Sequence, residues 1–464
     1  MYKLSILSFI LLISNLNWAQ NDSSIFNYED YITIVKNHHP ISFQALLQIK
    51  KGEAKLKKAK GGFDPQIETE MYQKYYDGEK YYSYLHSGLK IPTWFGVDIN
   101  AGYGNTEGYL LNPESQTPID GLWQAGLSIN LGRGFLIDER RAELKQAKTY
   151  VNSTLMEQKL MLNQLVFDAS QAYWDWYKTH NKVEIYKKAL ESSILRFNII
   201  KTSALLGEKA LIDTLKSGIQ VQNRELNLIQ AQLELINKKA FLETFLWQDG
   251  FIPLVLDPNL KPISYKLTKS KRPNMDRLSN MDSLINNHPE MIYYRYNIDI
   301  LKIDYRLKKE NLKPTIKLKY NTLGTPTNQS FLGEYTLNNY NWGASVSYPI
   351  FTRKERGALQ LSQIEIQEKE SILQQKEALI NYKLISSYNY WNSSAEQVNL
   401  YEKTIINYSA LFDSELALFN IGESSVFLVN YREQELIKAR IVLIELLYDN
   451  QISVLNFNYQ TAKY

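Results

Sequence analysis

Between Phe135 and Leu206 the chain has neither glycine nor proline, and its apolar residues recur in steps of four and three. Leu162, Val166, Ala169, Tyr173 and Trp176 begin the series; Val183, Leu190, Ile194 and Phe197 continue it, with His180 and Lys187 as polar interruptions. Such a heptad seam lets helices wrap around one another. The stretches 358–421 and 423–464 are equally free of glycine and proline. Interior Gly and Pro cost about 1 and 3 kcal/mol relative to Ala, so these stretches predict very long helices. A helix over 136–203 would be on the order of 100 Å long. A spectrin-like rod would show the same seam, so the seam alone does not decide the architecture.

The period then changes to two. Trp123, Ala125, Leu127, Ile129 and Leu131 alternate with Gln124, Gly126, Ser128 and Asn130. An apolar outer face and a small or polar inner face fit a transmembrane barrel strand, although a half-buried strand of a soluble sheet alternates in the same way. This strand closes a window, Gly61 to Gly134, that holds 12 of the 21 glycines and eight tyrosines. Candidate strands here are 66–76, 81–90, 94–103 and 122–131. The first and last are expected in a barrel, with 81–120 as an enlarged extracellular hairpin or loop, unless a middle segment joins the barrel. Trp94, Trp123, Trp342 and Tyr348 are candidate membrane-boundary aromatics, since rings with one polar end favour the membrane–water interface.

Overlaying the halves shows that the chain is duplicated. His39-Pro40 and Pro65 match His288-Pro289 and Pro314 at an offset of 249 (288 − 39, 314 − 65). Trp123, Ala125, Leu127 and Ile129 match Trp342, Ala344, Val346 and Tyr348 at 219 (342 − 123). Arg141, Tyr173, Trp176 and Gly207-Glu208 match Arg356, Tyr388, Trp391 and Gly422-Glu423 at 215 (356 − 141), without a gap. The falling offset places extra residues in the first repeat, mainly in its glycine-rich segment. Each repeat reads as helix, strands, long helix, turn, long helix. Pro40 and Pro289 sit where a first helical position tolerates a missing N–H. Pro65 and Pro314 close those helices, and Gly207 and Gly422 are the expected tips of two helical hairpins. The first repeat covers 20–250 (strands about 63–132, hairpin 136–248) and a linker 251–275. The second repeat covers 276–464 (strands about 315–349, hairpin 352–462).

The N-terminus, 1–19, reads as an export signal: Lys3, an apolar run from Leu4 to Ile13, and Ala19 before the expected cleavage. Ser14, Asn15 and Asn17 end that run short of the roughly 20 residues a spanning helix needs. Any membrane role then falls to strands. The absence of cysteine excludes disulfides and a lipid anchor on an N-terminal cysteine. With 53 basic and 49 acidic residues, net charge +4, no strong field for nucleic acid exists.

The His-Pro starts with Pro65 and Pro314, the Arg141 and Arg356 helix entries, and the turns 205–208 and 420–423 form an ordered, duplicated set. This set resembles the TolC-type family of outer-membrane efflux proteins over essentially the whole mature chain. The resemblance implies an α+β membrane protein. Long coiled-coil hairpins would form an α-barrel tunnel, and transmembrane β-barrel strands, four per chain, would be shared in a homotrimer. It implies an outer-membrane exit duct whose tunnel lies in the periplasm. A periplasmic adaptor would join the duct to an inner-membrane transporter of the RND or ABC class, with type I protein secretion or a non-channel scaffold as alternatives. Leu206, Gly207, Glu208, Ile421, Gly422 and Glu423 would be the adaptor-contact tips. Some members close the periplasmic end with acidic residues six and nine positions after the second tip glycine. Here those positions hold Leu428 and Tyr431, with Asp213 and Lys216 at the matching places of the first repeat, so an apolar and aromatic constriction with some charge support is expected.

Closure of the ring also follows from physics. An open sheet in lipid leaves two edges of unpaired backbone groups, each costing several kcal/mol. Three chains in a ring remove every edge.

No enzymatic constellation, cofactor site or metal site is expected. The adjacent His38 and His39 point in different directions without a third ligand nearby. Asp138-Glu139 and Glu433/Glu435 read as solvated helix faces. Gly102 to Gly108 lacks the Lys-Ser/Thr of a phosphate loop, and 132–134 (Gly-Arg-Gly) reads as a strand-to-helix exit.

Overall fold

The computed structural model of the chain describes residues 25–264, 271–273, 281–327 and 330–464. The expected export signal and parts of the 251–275 linker lie outside these residues. In chain order the helices are α1 (Tyr28–His38), α2 (Pro40–Gly61), α3 (Glu139–Leu205), α4 (Leu211–Glu243), α5 (Met281–Asn286), α6 (Pro289–Glu310), α7 (Arg353–Asn420) and α8 (Val426–Gln460). The strands are β1 (Gln66–Tyr76), β2 (Glu79–Pro92), β3 (Val97–Glu107), β4 (Leu122–Asn130), β5 (Trp247–Gln248), β6 (Ile252–Pro253), β7 (Thr315–Thr327) and β8 (Ser330–Ser347). The fold is α+β and internally duplicated. α3 and α7 run 67 and 68 residues without interruption; α3 holds no glycine or proline, and α7 only Gly357 in its second turn.

The helix ends follow from named residues. Asp138 caps α3, its Oδ1 accepting from the Arg141 N–H at 2.8 Å. His288 caps α6: Nδ1 accepts from the Glu290 N–H at 3.2 Å, and Pro289 takes the first helical position. Burial pushes the His288 imidazole below its ordinary range. That favours the neutral ring, which the accepting role of Nδ1 requires.

The helical seam departs from a strict heptad. Val166, Ala169, Tyr173 and Trp176 are buried, but Ile194 is exposed, and Ala189, Ser193 and Ile200 carry the buried stripe instead. A straight helix of 3.6 residues per turn drifts about 20° per heptad, so a seam extrapolated at 3.5 walks off the core.

The chain forms two compact units, and each draws on both sequence repeats. Among the described residues the first comprises 25–39, 169–264, 271 and 394–452. Its core is aromatic. The Tyr31 and Tyr173 rings lie 5.6 Å apart, Tyr173 donates to the Phe26 carbonyl at 2.8 Å, and Tyr28 bonds Ser170 at 2.7 Å. Val398, Leu443 and Leu447 pack α7 onto α8.

Among the described residues the second unit comprises 40–168, 272–273, 281–327, 330–393 and 453–464. Ile285 and Met291 pack on Ile380 and Leu384, and Tyr388 and Trp391 pack on Phe457. α2 lies close against α3 at Gly52, where an added Cβ would stand 2.6 Å from the Thr154 hydroxyl.

The second unit also carries the sheet, in the order β1-β2-β3-β4-β7-β8 with every neighbour antiparallel. This decides one expectation and corrects another. Of the hairpin or loop expected over 81–120, the structure forms the hairpin: the candidate strands 81–90 and 94–103 are β2 and β3, paired with each other and with β1 and β4. The chain therefore supplies six strands to one sheet, where the resemblance implies four. The extra residues of the first repeat form one inserted hairpin.

Candidate functional site

The strand register sorts the sheet into two chemically different faces. Counting from the pairs Ile67↔Leu89↔Ala101↔Ala125↔Thr322↔Tyr340, one face carries an apolar set. Met71 (β1), Leu85 and Ile91 (β2), Ile99 and Tyr103 (β3), Trp123 and Leu127 (β4), Leu318 and Tyr320 (β7) and Trp342 and Val346 (β8) share it. The opposite face carries Glu68 and Glu70, His86 and Lys90, Asp98 and Asn100, Gln124 and Ser128, Lys317 and Lys319, and Asn341 and Ser345. Alternation across six strands gives the sheet one side suited to hydrocarbon and one suited to water. Its ends, β1 and β8, have no neighbour on their outer edges among the described residues, and every residue of β1 is exposed.

On the polar face Gly126 makes the closest approach. A Cβ there would stand 2.0 Å from the Tyr320 carbonyl oxygen and 2.6 Å from the Asn321 Cα. The buried Asn321 side chain crosses this spot and donates to Asn341 at 3.3 Å. Only glycine permits this contact between β4 and β7, the pair that joins the two repeats.

Where the sheet meets the helices, charged groups fix the geometry. Arg140 pairs with Asp98 at 3.0 Å, Arg141 with Asp138 at 3.2 Å, and Arg133 donates to Asn311 at 3.0 Å. Arg141 also donates to the Phe135 carbonyl at 3.1 Å and to the Gly134 carbonyl. The Gly-Arg-Gly segment at 132–134 is the strand-to-helix turn. The buried Glu310 carboxylate accepts from the Leu136 N–H at 3.0 Å and pairs with Lys313 at 2.7 Å.

The hairpin tips repeat each other bond for bond. Gly207 and Gly422 have φ of +82° and +85°. Glu208 N–H bonds the Ser203 carbonyl and Glu423 N–H the Leu418 carbonyl, both at 2.9 Å. Gly207 N–H bonds Ala204, and Gly422 N–H bonds Phe419, both at 3.1 Å. These are two Schellman caps, which need a left-handed residue at the glycine. Leu206 and Ile421 stand exposed beside them.

Of the constriction candidates, Asp213 and Lys216 pair on α4 at 3.6 Å. Leu428 and Tyr431 lie exposed on the first turns of α8. The Arg432 guanidinium rests 5.5 Å from the Tyr431 ring and 3.6 Å from the Glu415 carboxylate. Among the boundary candidates, Trp94 occupies the β2–β3 turn and Tyr348 follows β8. Trp123 pairs with Tyr103, ring centres 5.1 Å apart, and Trp342 lies opposite Tyr320 within the sheet.

Two features escape the sequence reading. Glu433 is buried rather than solvated. It receives a two-pronged hydrogen bond from Arg196 at 2.8 and 3.0 Å and faces Arg224 at 3.9 Å, while Asn430 accepts from Arg196 at 2.8 Å. This cluster ties α3, α4 and α8 together within the first unit. Burial pushes the Arg224 pKa down, Glu433 opposes that shift, and Arg196 adds to it. The second feature is an apolar stripe on α4. Ile212, Leu215, Ile219, Leu226, Ile229, Leu233 and Ile236 follow a three-four rhythm, and each is more than half exposed. Gln222 fills the one polar position. Ser217, Arg224 and Ala231 are the buried side of the same helix.

Among the described residues, no helix is long and apolar enough to cross a membrane, and no group of three His, Asp or Glu could hold a metal ion.

Comparison with curated proteins finds no match by sequence. The outer membrane efflux protein family matches residues 280–457. CusC has the same fold, with a TM-score of 0.67 at 13% identity over 97% of this chain and 95% of that one. The CmeC outer membrane channel of Campylobacter jejuni gives 0.65 at 12% identity, over 94% and 85%. The open state of the MtrE outer membrane channel of Neisseria gonorrhoeae gives 0.64 at 10%, over 94% and 88%. Residues 280–457, within the second repeat, are thus similar to the outer membrane efflux protein family, and the chain has the fold of these outer-membrane channels.

Proposed function

We propose that three copies of the chain form an outer-membrane exit duct, whose helical part stands in the periplasm and couples through an adaptor to an inner-membrane transporter. The observation that carries this reading is an open sheet with one apolar face, one polar face and two unpaired edges. Lipid satisfies the apolar face, water in a lumen satisfies the polar one, and only ring closure pairs the edges. The exposed stripe on α4 makes the same demand in the helical part. A seam of seven apolar residues in water needs a neighbouring helix, and further copies of the chain provide one.

The duplicated tips are the adaptor contacts in this reading: Leu206, Gly207 and Glu208, with Ile421, Gly422 and Glu423. Nothing lies within 4 Å of a Cβ placed on either glycine, so substitution strains only the backbone conformation, by about 1–2 kcal/mol. Gly207→Leu together with Gly422→Leu is expected to leave outer-membrane trimers intact and abolish export in cells; unchanged export would remove the tips from the coupling site.

Leu428 and Tyr431, with Asp213 and Lys216, form the entrance constriction. Leu428→Ala with Tyr431→Ala is expected to raise passive uptake of large antibiotics several-fold. Uptake equal to that of the unchanged protein would place the constriction elsewhere.

A further inference from the structure

The inserted hairpin β2–β3 is continuous with the rest of the sheet in strand length, pairing and the overall alternation of its two faces. Its strands are 14 and 11 residues long, enough to cross hydrocarbon, for which a tilted strand needs about 9–11. Its pairing runs through most of each strand, with one register shift against β1, at Lys74/Tyr75, and none between β2 and β3 or between β3 and β4. Most of its side chains follow the division set by the other four strands, with Ser83 and Ser87 on the apolar face and Tyr82 and Tyr84 on the polar face as the exceptions. Leu85, Leu89, Ile91, Ile99 and Ala101 lie on the apolar face, while His86, Lys90, Asp98 and Asn100 lie on the polar one. A loop folded outside the membrane has no reason to keep such an alternation in phase with its neighbours.

We propose that this hairpin spans the bilayer, so that three copies of the six-stranded sheet close an eighteen-stranded barrel instead of the twelve-stranded one that four strands per chain would give. The proposal rests on the duct reading above. Closure is consistent with strand direction. Six successive antiparallel strands leave β1 and β8 running oppositely, so β8 of one chain meets β1 of the next as an antiparallel pair. Barrel diameter grows roughly linearly with strand number, which makes the outer mouth about one and a half times as wide as a twelve-stranded mouth. The added wall is lined on its water side by Tyr84, His86, Gly88, Asn100, Gly102 and Gly104, and the three glycines leave much of the extra width open. The duct's outer end then admits bulkier cargo, and size selection falls to the helical entrance.

The chain has no cysteine, so single-cysteine labels report one site each. Leu89→Cys and Ala101→Cys probe the apolar face; His86→Cys and Asn100→Cys probe the polar one. Each carries an environment-sensitive dye in trimers reconstituted into phosphatidylcholine vesicles containing nitroxide-labelled lipid. The proposal predicts that the nitroxide lipid quenches the dyes at 89 and 101 at least several-fold more than those at 86 and 100, while aqueous iodide does the reverse. Trimers in which iodide quenches all four dyes and the lipid quenches none would place the hairpin outside the bilayer. That result would overturn the eighteen-stranded barrel and leave the duct standing. If no variant, nor the unchanged protein, forms a three-chain particle, the duct reading itself fails and the barrel fails with it.

Discussion

Gly126→Ala is expected to eliminate assembled protein from the outer membrane, whereas Gly104→Ala, on the same polar face, leaves it near its normal level. At Gly126 the new methyl would stand 2.0 Å from the Tyr320 carbonyl oxygen, an immovable backbone atom, and would displace Asn321 from its bond to Asn341. At Gly104 the nearest atoms are 3.8 Å away, an ordinary contact. An overpacked core typically loses about 1–3 kcal/mol because side chains give way. Here the β4 and β7 backbones must part, so the loss exceeds that range. Quantifying unheated trimer bands from isolated outer membranes compares the two variants directly; equal yields would mean that β4 and β7 do not meet as described.

The second large effect lies in the helices. Glu433→Gln leaves Arg196 and Arg224 buried beside each other without their shared counter-charge. Removing one partner of a buried ion pair typically costs about 3–5 kcal/mol, because the remaining charge is stranded. Replacing Arg196, Arg224 and Glu433 together with apolar residues of similar volume is expected to recover most of that loss, since no charge is then left unmatched. Thermal loss of the helical circular-dichroism signal measures both variants. A Glu433→Gln protein as stable as the parent would show that water reaches the cluster.

These two sites also mark where the sequence stops being legible. The tip glycines could be read from the chain because a left-handed helix cap imposes a local demand that few residues other than glycine meet, and the demand recurs 215 residues later. β4 could be read because Trp123, Ala125, Leu127 and Ile129 alternate cleanly with Gln124, Gly126 and Ser128. β2 is legible as a candidate strand over 81–90, but its place in the sheet is not. Ser83 and Ser87 interrupt its apolar side and Tyr82 and Tyr84 its polar side, so the period of two is blurred until register with β1 and β3 sorts the faces. Glu433 looked solvated because a lone carboxylate on a helix usually is. Its partner Arg196 lies 237 residues away, and only folding brings them together. The α4 stripe was legible in spacing, Ile212 to Ile236. Its exposure was not, because a seam looks the same whether its partner lies in the same chain or in another.

The most direct test of the duct is the mass and projection of the protein extracted in mild detergent from isolated outer membranes, by light scattering and negative-stain microscopy. The account predicts a particle of three chains with threefold end-on views around a stain-filled centre. A single-chain particle recovered from the soluble fraction would mean that the sheet never closes in lipid, and the duct would have to be abandoned.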